Sequence, residues 1–316
     1  MPVLSWRTPT RPELPRAAAP GTAGAQPRLE SRVEPGSGPR PSFRLFESCA
    51  NPACDSGWLH LWRSRNAPIF EAGWTCSPAC TESLLLFAVR RELDGRLAAD
   101  ESRPHRIPLG LVMLEQGWID AAELRQALDA QKAAGSGRVG QWLIGLHGLS
   151  EQLVTRALGL QWSCPVLPLE HLDPDALAPL VPRLFLDAFG ALPLRVAAGR
   201  LLYLGFADRL DPVLALALER MSGLRVESGL VRESQFRAAH TRLLNSVFPP
   251  TDLIEAASEP VAAEVLARAV ERLRPVEARL VRVHCFLWLR LWRQPQSGPT
   301  PRLSGIHDVI CSVGAH

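Results

Sequence analysis

Apolar positions recur with a helical period in two stretches offset by thirty residues: LGLVMLEQGWIDAAELRQALDAQ, Leu109 to Gln131, and VGQWLIGLHGLSEQLVTRALGLQ, Val139 to Gln161. Superposed at that offset, Gly110 falls on Gly140, Met113 on Leu143, Leu114 on Ile144, Leu124 on Val154, Ala127 on Ala157, Leu128 on Leu158 and Gln131 on Gln161. Each copy reads as a short helix, a glycine stop and a second helix. In the first copy the stop is Gly117, and Asp120 with Glu123 forms a capping box. In the second the stop slips by one to Gly148, and Ser150 is the cap. Leu124, Ala127 and Leu128 mark one buried face. The pattern predicts two helical hairpins over 107–162, packed as a four-helix unit.

Beyond residue 165 the period changes. PVLPLE, ALPLRV, RLLYLGFA and LRVESGLV are rich in Val, Leu and aromatics and predict short strands. DPVLALALERMSG predicts a helix with Asp211 as N-cap, Pro212 as first residue and Gly223 as stop. ESQFRAAHTRLLN predicts another, completing an α/β unit over 165–246. After the linker FPPTD the chain is arginine-rich, and two helices broken at Pro275 are predicted over 252–293. The second, VEARLVRVHCFLWLRLWRQ, sets Phe286, Trp288 and Trp292 among Arg279, Arg282, Arg290 and Arg293. It reads as an amphipathic helix packed on the body of the protein with its arginines in water; docking to a partner or a membrane surface are the alternative uses. Residues 294–316 read as a loose tail. Residues 1–40, rich in Pro, Gly, Ala and Arg without a hydrophobic period, read as disordered. The fold class is α+β, multi-domain.

Between these regions, 43–97 is organised around cysteine. Cys49 and Cys54 are spaced C-x4-C, and Cys76 and Cys80 C-x3-C, with twenty-one residues between the pairs. Tetrahedral zinc takes four soft ligands, commonly as two pairs on tight turns. Turn, hairpin, turn and then helix, with Thr81 as N-cap, is the order of a zinc-ribbon or treble-clef-like module. Four protein ligands leave no open position, so the zinc is structural. His60 is an alternative ligand, placed mid-hairpin. The plainer reading is four buried thiols in a small core; paired spacing in a reducing compartment favours the metal.

Composition adds limits. Net charge is only +3, and nearly all of the positive charge is arginine, Lys132 being the one lysine. Arg63, Arg65, Arg90 and Arg91 form no basic stripe, which argues against nucleic acid as the partner. No stretch has the roughly eighteen uncharged apolar residues of a membrane span, and the N-terminal residues lack a signal peptide's apolar run. A cytoplasmic location is the expectation. The chain contains no G-x-x-x-x-G-K-[ST], no G-x-S-x-G and no H-E-x-x-H, and its eight histidines are scattered. No enzymatic activity is expected.

The doubled stretch resembles the N-terminal domain of the type II secretion and type IV pilus assembly ATPases (the GspE, PilB and MshE group). The motif there is Arg-Leu-Gly, apolar residues, Gly, a Leu-x-x-x-Leu step and a closing Gln, in two tandem copies. The likeness continues through ALPLRVAAGRLLYLGFADRLDPVLALALERMSGLRVESGLV, Ala191 to Val231, and spans about 106–243. It implies a domain that docks on secretion or pilus assembly machinery. In some members the two motifs bind cyclic di-GMP, one to each half. Carried over, the nucleotide-binding residues are Arg106, Leu109, Gly110, Gln131, Arg138, Gly140 and Gln161. Copy two keeps Arg138-Val139-Gly140, whereas copy one has Pro108 where the motif places arginine, with Arg106 two residues earlier. The ATPase motor motifs of that family do not occur in this chain. Three readings follow: a non-enzymatic interaction or adaptor protein with a structural zinc, a cyclic di-GMP receptor, and a zinc-ribbon nucleic-acid binder.

Overall fold

The computed structural model describes residues 49–55, 68–71, 73–95, 106–170, 172–296, 298 and 300–314. The reading of 1–40, most of the hairpin between the cysteine pairs, and His60 lie outside the described residues.

The cysteine segment contributes β1 (Ile69–Phe70), β2 (Gly73–Trp74) and helix α1 (Pro78–Asp94). The cap of α1 is not Thr81 but Ser77, whose side chain accepts from Cys80 N. Pro78 explains the shift: its fixed φ and missing N–H suit the first helical position, so the helix begins ahead of Thr81. Thr81 instead shares a hydrogen bond with Thr75 at 2.8 Å and donates to Glu271 at 2.6 Å.

The doubled stretch folds as α2 (Leu109–Glu115), α3 (Ala121–Ala134), α4 (Val139–His147) and α5 (Glu151–Trp162). The Asp120–Glu123 capping box and the Ser150 cap are both present. Gly117 and Gly148 each sit at φ +64°, the left-handed conformation a glycine stop supplies. Helix α3 packs on α4 and α2 on α5, so each hairpin completes the other. Met113, Leu143, Ala127 and Ala157 are fully buried between them. Leu128, expected inside, is 46% exposed, whereas Ala127, expected on the same face, is fully buried.

The α/β unit holds α6 (Pro174–Leu177), α7 (Arg183–Phe189), β3 (Ala191–Ala197), β4 (Leu201–Phe206), α8 (Pro212–Ser222), β5 (Arg225–Leu230) and α9 (Glu233–Leu244). Its sheet has the order β3-β4-β5, antiparallel then parallel. Helix α8 has the Asp211 cap, the Pro212 start and the Gly223 stop. PVLPLE makes only a single bridge, Val166 to Leu230. Pro165 and Pro168 have no N–H to donate, which prevents a ladder.

The C-terminal region departs most from expectation. One of the two predicted helices exists, α10 (Glu259–Leu273). FPPTD runs directly into a strand, β6 (Thr251–Ala256), and the second helix is instead a hairpin, β7 (Glu277–Val283) and β8 (Phe286–Trp292). The loose tail contains β9 (Ile306–Val313). The sheet order is β6-β9-β8-β7, with β6 and β9 parallel and the other pairs antiparallel. The central strands β8 and β9 are buried on both faces. Leu280, Leu287, Leu289, Leu291 and Val309 face α1 and α10, while Val281, Trp288, Trp292 and Ile310 join the core of the α/β unit. A strand buried on both faces has no polar face, so its sequence loses the two-residue alternation and mimics a helix. Nor are all its arginines in water. Arg290 is 1% exposed, with Nε and Nη2 on the Asp308 carboxylate at 2.7 and 2.8 Å and Nη1 on Leu180 O at 3.0 Å.

Candidate metal centre and nucleotide-site residues

The two cysteine pairs meet at the start of α1. Cys49 and Cys54 lie on a knuckle whose turn is closed by Cys54 N donating to Asn51 O and Ala53 N to Asn51 Oδ1. The knuckle rests on the β hairpin: Ala50 N donates to Trp74 O at 2.7 Å, and Gly73 leaves the space that Ala50 fills. Cys76 precedes α1 and Cys80 lies in its first turn. All four sulfurs lie within 4.8 Å of one another, with Cys76 Sγ 3.5 Å from both Cys54 Sγ and Cys80 Sγ. Zn–S bonds of about 2.3 Å in a tetrahedron set the sulfurs about 3.8 Å apart, so the cluster fits such an ion with small adjustment. Cys76 and Cys80 are buried and Cys49 and Cys54 half-buried. Burial pushes the Cys49 thiol up to about 12, and its sulfur-to-sulfur contacts add to that. A metal must therefore displace the proton of Cys49, which makes loading proton-linked. Among the described residues no histidine or carboxylate joins the group.

The arginines near this module are engaged. Arg91 holds Glu71 through two hydrogen bonds of 2.6 and 2.7 Å, and Arg90 pairs with Glu259. Arg63 and Arg65 lie outside the described residues.

The nucleotide-site residues divide between the segments that lead into α2 and α4. Gln161 Nε2 donates to Ile107 O at 2.7 Å, and Gln131 Nε2 donates to Gly137 O at 2.8 Å. Ile107 and Gly137 are themselves thirty residues apart, so the same bond is made twice. Each bond runs from the end of one copy to the start of the other. Gly110 and Gly140 are buried, and their role here is close packing. A Cβ on Gly110 would lie 2.5 Å from Leu124, and one on Gly140 2.7 Å from Val154. Leu109 packs beside Gly140 where α2 crosses α4.

The arginines make these two helix starts unlike. Arg106 lays its guanidinium 3.2 Å from the centre of the Trp162 ring. It borders a cleft of about 980 Å³ with apolar walls that include Leu111, Val112 and Leu160. Arg138 precedes α4 and bridges to the α/β unit, pairing with Asp208 and, at 2.8 Å, with Glu233. It borders a second cleft of about 600 Å³, whose wall includes Phe189, Asp208, Arg209 and His284. There His284 Nε2 meets Asp211 at 2.7 Å, and its ring lies tilted against that of Phe189, with centres 4.5 Å apart. Burial raises the Asp211 carboxyl, but the His284 bond and the α8 N–H groups outweigh it and hold the group below the usual carboxylate range.

Sequence reasoning missed Asp208 and Glu233, the partners of Arg138, and Glu151, which accepts from Ser234 N and Oγ. The signal was faint, one acid in the loop after β4 and one at the first position of α9. It also passed over Gly135-Ser136-Gly137-Arg138-Val139-Gly140, which has G-x-G-x-x-G spacing. That segment follows helix α3 rather than a strand, so it lacks the context of a dinucleotide fingerprint.

A helical pair followed by a three-stranded α/β unit is the arrangement that the sequence resemblance implied. Residues 162–247 match the MshEN domain family. Among solved structures, one described as MshE with cdg is 33% identical over 44% of this chain and 99% of its own, with a TM-score of 0.36. The N-terminal domain of XpsE is 22% identical over 42% of this chain and 92% of its own, with a TM-score of 0.30. No curated protein matches the chain. Among the described residues no helix is long and apolar enough to cross a membrane.

Proposed function

We propose that the chain is a non-enzymatic interaction protein, with its MshEN domain as the docking unit and a structural zinc in the four-cysteine cluster. The partner class is a protein of secretion or pilus assembly machinery, and the setting is cytoplasmic. The family match over 162–247 carries the docking reading. The sulfur geometry supports the zinc: four soft ligands within 4.8 Å and no other candidate ligand among the described residues. When bound, zinc would tie the knuckle to the first turn of α1 and supply folding free energy. Cys76 and Cys80 would hold the helix side and Cys49 and Cys54 the knuckle. Two measurements test the proposal. Metal analysis after reducing purification is expected to give about one zinc per chain; a metal-free folded protein refutes the site. Turnover of nucleoside triphosphates by the pure chain refutes the non-enzymatic reading.

A second reading, a receptor for cyclic di-GMP, is favoured by Arg138. Its guanidinium is 46% exposed at the mouth of an open cleft, next to Gly137, whose carbonyl accepts from Gln131 just before α4. Arginine can stack on a purine or pair with phosphate. Titration calorimetry with cyclic di-GMP decides it: absence of heat at tens of micromolar protein sinks the receptor reading and leaves the docking reading standing.

A further inference from the structure

The four-cysteine segment and the C-terminal sheet lie at opposite ends of the sequence, yet they share one core. Leu85, Ala88 and Val89 of α1 and Phe70 of β1 are buried with Ala262, Leu266 and Val270 of α10. Leu280, Leu289 and Val309 of the sheet close the same cluster. The backbone joins as well. Ile69 N donates to Pro275 O at 3.1 Å and Glu71 N to Ala278 O at 2.8 Å, so β1 lies along β7, the outer strand of the sheet. The Thr81 hydroxyl reaches Glu271 on α10. A module of this size has little core of its own; here its apolar residues are buried against α10 and the sheet.

The far end of α1 reaches a third element. Glu92 is 4% exposed. It accepts two hydrogen bonds from the Arg220 guanidinium of α8, at 2.8 Å in the longer case, and one from Arg282 N of β7 at 3.2 Å. Arg282 Nη1 in turn donates to Leu93 O at 2.9 Å. Helix α8 lies inside the MshEN match. Thus the cysteine cluster holds the first turn of α1, and the last turn of the same helix grips the MshEN domain.

We infer that residues 49–95 and 251–314 form one discontinuous domain closed by the metal, with the MshEN domain inserted between its halves, and that metal loss undocks α1 from the sheet and from α8. This rests on the zinc reading above and adds to it that the site governs elements two hundred residues away in sequence. Without metal, no coordination bonds tie Cys49 and Cys54 on the knuckle to Cys76 and Cys80 at the start of α1. The helix they anchor covers an apolar sheet face, so its release exposes that face and frees Arg220.

The test is hydrogen exchange on the full chain, with its metal and after a strong chelator has removed it. Metal removal is expected to speed exchange about tenfold or more in α1, α10 and β7 and in the last turn of α8, while α2–α5 keep their protection. Zinc added back restores it. Glu92→Gln is expected to keep the metal and loosen α8 alone. A chelated chain that loses protection only within 49–95 overturns the inference and leaves the zinc reading intact. A chain that purifies metal-free with α1 and α10 protected overturns both.

Discussion

Arg138 is where fold and ligand make different demands on one side chain, and its removal separates them. In the structure its guanidinium pairs with Asp208 and Glu233, whose side chains are 49% and 28% exposed. Half-exposed pairs are screened by water and worth about 0.2–1 kcal/mol each, so Arg138→Ala should cost at most about 2 kcal/mol of stability. Gln141, which donates to Glu233 and accepts from Arg138 N, and the Glu151–Ser234 bonds still join the helical unit to α9. A ligand contact is stronger. A charge-assisted hydrogen bond to a phosphate or a guanine edge is worth about 1.5–3 kcal/mol, which converts to about a 10- to 150-fold loss of affinity. Under the receptor reading, calorimetry with cyclic di-GMP should show that loss while the urea midpoint barely moves. Asp208→Asn should do the reverse: it removes one competitor for the guanidinium, and affinity should rise about two- to fivefold. Unchanged affinity in Arg138→Ala refutes the assignment of this arginine to the ligand. Loss of more than about 3 kcal/mol in stability refutes the premise that the seam is solvent-screened.

Three further outcomes test the scaffold. Asp308→Ala leaves Arg290 buried without its carboxylate and Trp288 Nε1 without its 2.9 Å acceptor; it should cost about 3–5 kcal/mol in urea denaturation, whereas the double change Arg290→Met with Asp308→Leu should recover much of that. Gly140→Ala should destabilise by about 1–3 kcal/mol, because its Cβ would lie 2.7 Å from the stiff β-branched Val154; a stabilised protein would mean the glycine is not there for packing. Asp211 and Asp252 both have carboxyls held below the usual range, because the His284 bond in one case and the His307 and Arg272 bonds in the other outweigh burial. Their stability contribution is present above the unfolded-state value of about 3.9 and is lost as pH falls through the lower folded values. His284→Gln should therefore flatten the fall in stability below about pH 4, and an unchanged acid profile would show that the Asp211 pair contributes nothing.

The chain made its helical half easy to read and its C-terminal half hard. Helices α3, α5 and α8 announce their ends through Asp120, Ser150 and Asp211 with Pro212, which are local signals that tertiary structure had no cause to override. The hairpin of β7 and β8 has no such signal. FLWLRLW is apolar at nearly every position because one face meets α1 and α10 and the other meets the α/β core. Its one charge, Arg290, suggests a solvent-facing stripe until Asp308 is seen opposite it, as its cross-strand partner in β9. That partner sits in the segment whose Pro and Gly made it look like a tail. Helix and strand readings of such a run diverge only when the elements covering its two faces are known, and those come from both ends of the chain.

The candidate sites differ in legibility for a related reason. The cysteines could be paired from spacing because a metal imposes its own geometry on four residues, whatever the surrounding fold. The repeat could be found from spacing too, but spacing does not separate packing from binding. Gly110 and Gly140 align in both copies, and each is accounted for by the side chain it faces, Leu124 in one and Val154 in the other. Gln131 and Gln161 align, and each donates to a backbone carbonyl at the start of the other copy. What two copies need in order to close one core is therefore kept twice. What a ligand would need is not: Arg138 bridges to Asp208 and Glu233 while Arg106 stacks on Trp162, so the starts of α2 and α4 present different chemistry. A ligand with two equal halves would meet one arginine already neutralised and one held against an indole. Symmetric recognition would have to break the first arrangement, which is why the Asp208→Asn response carries more information than any alignment of the copies.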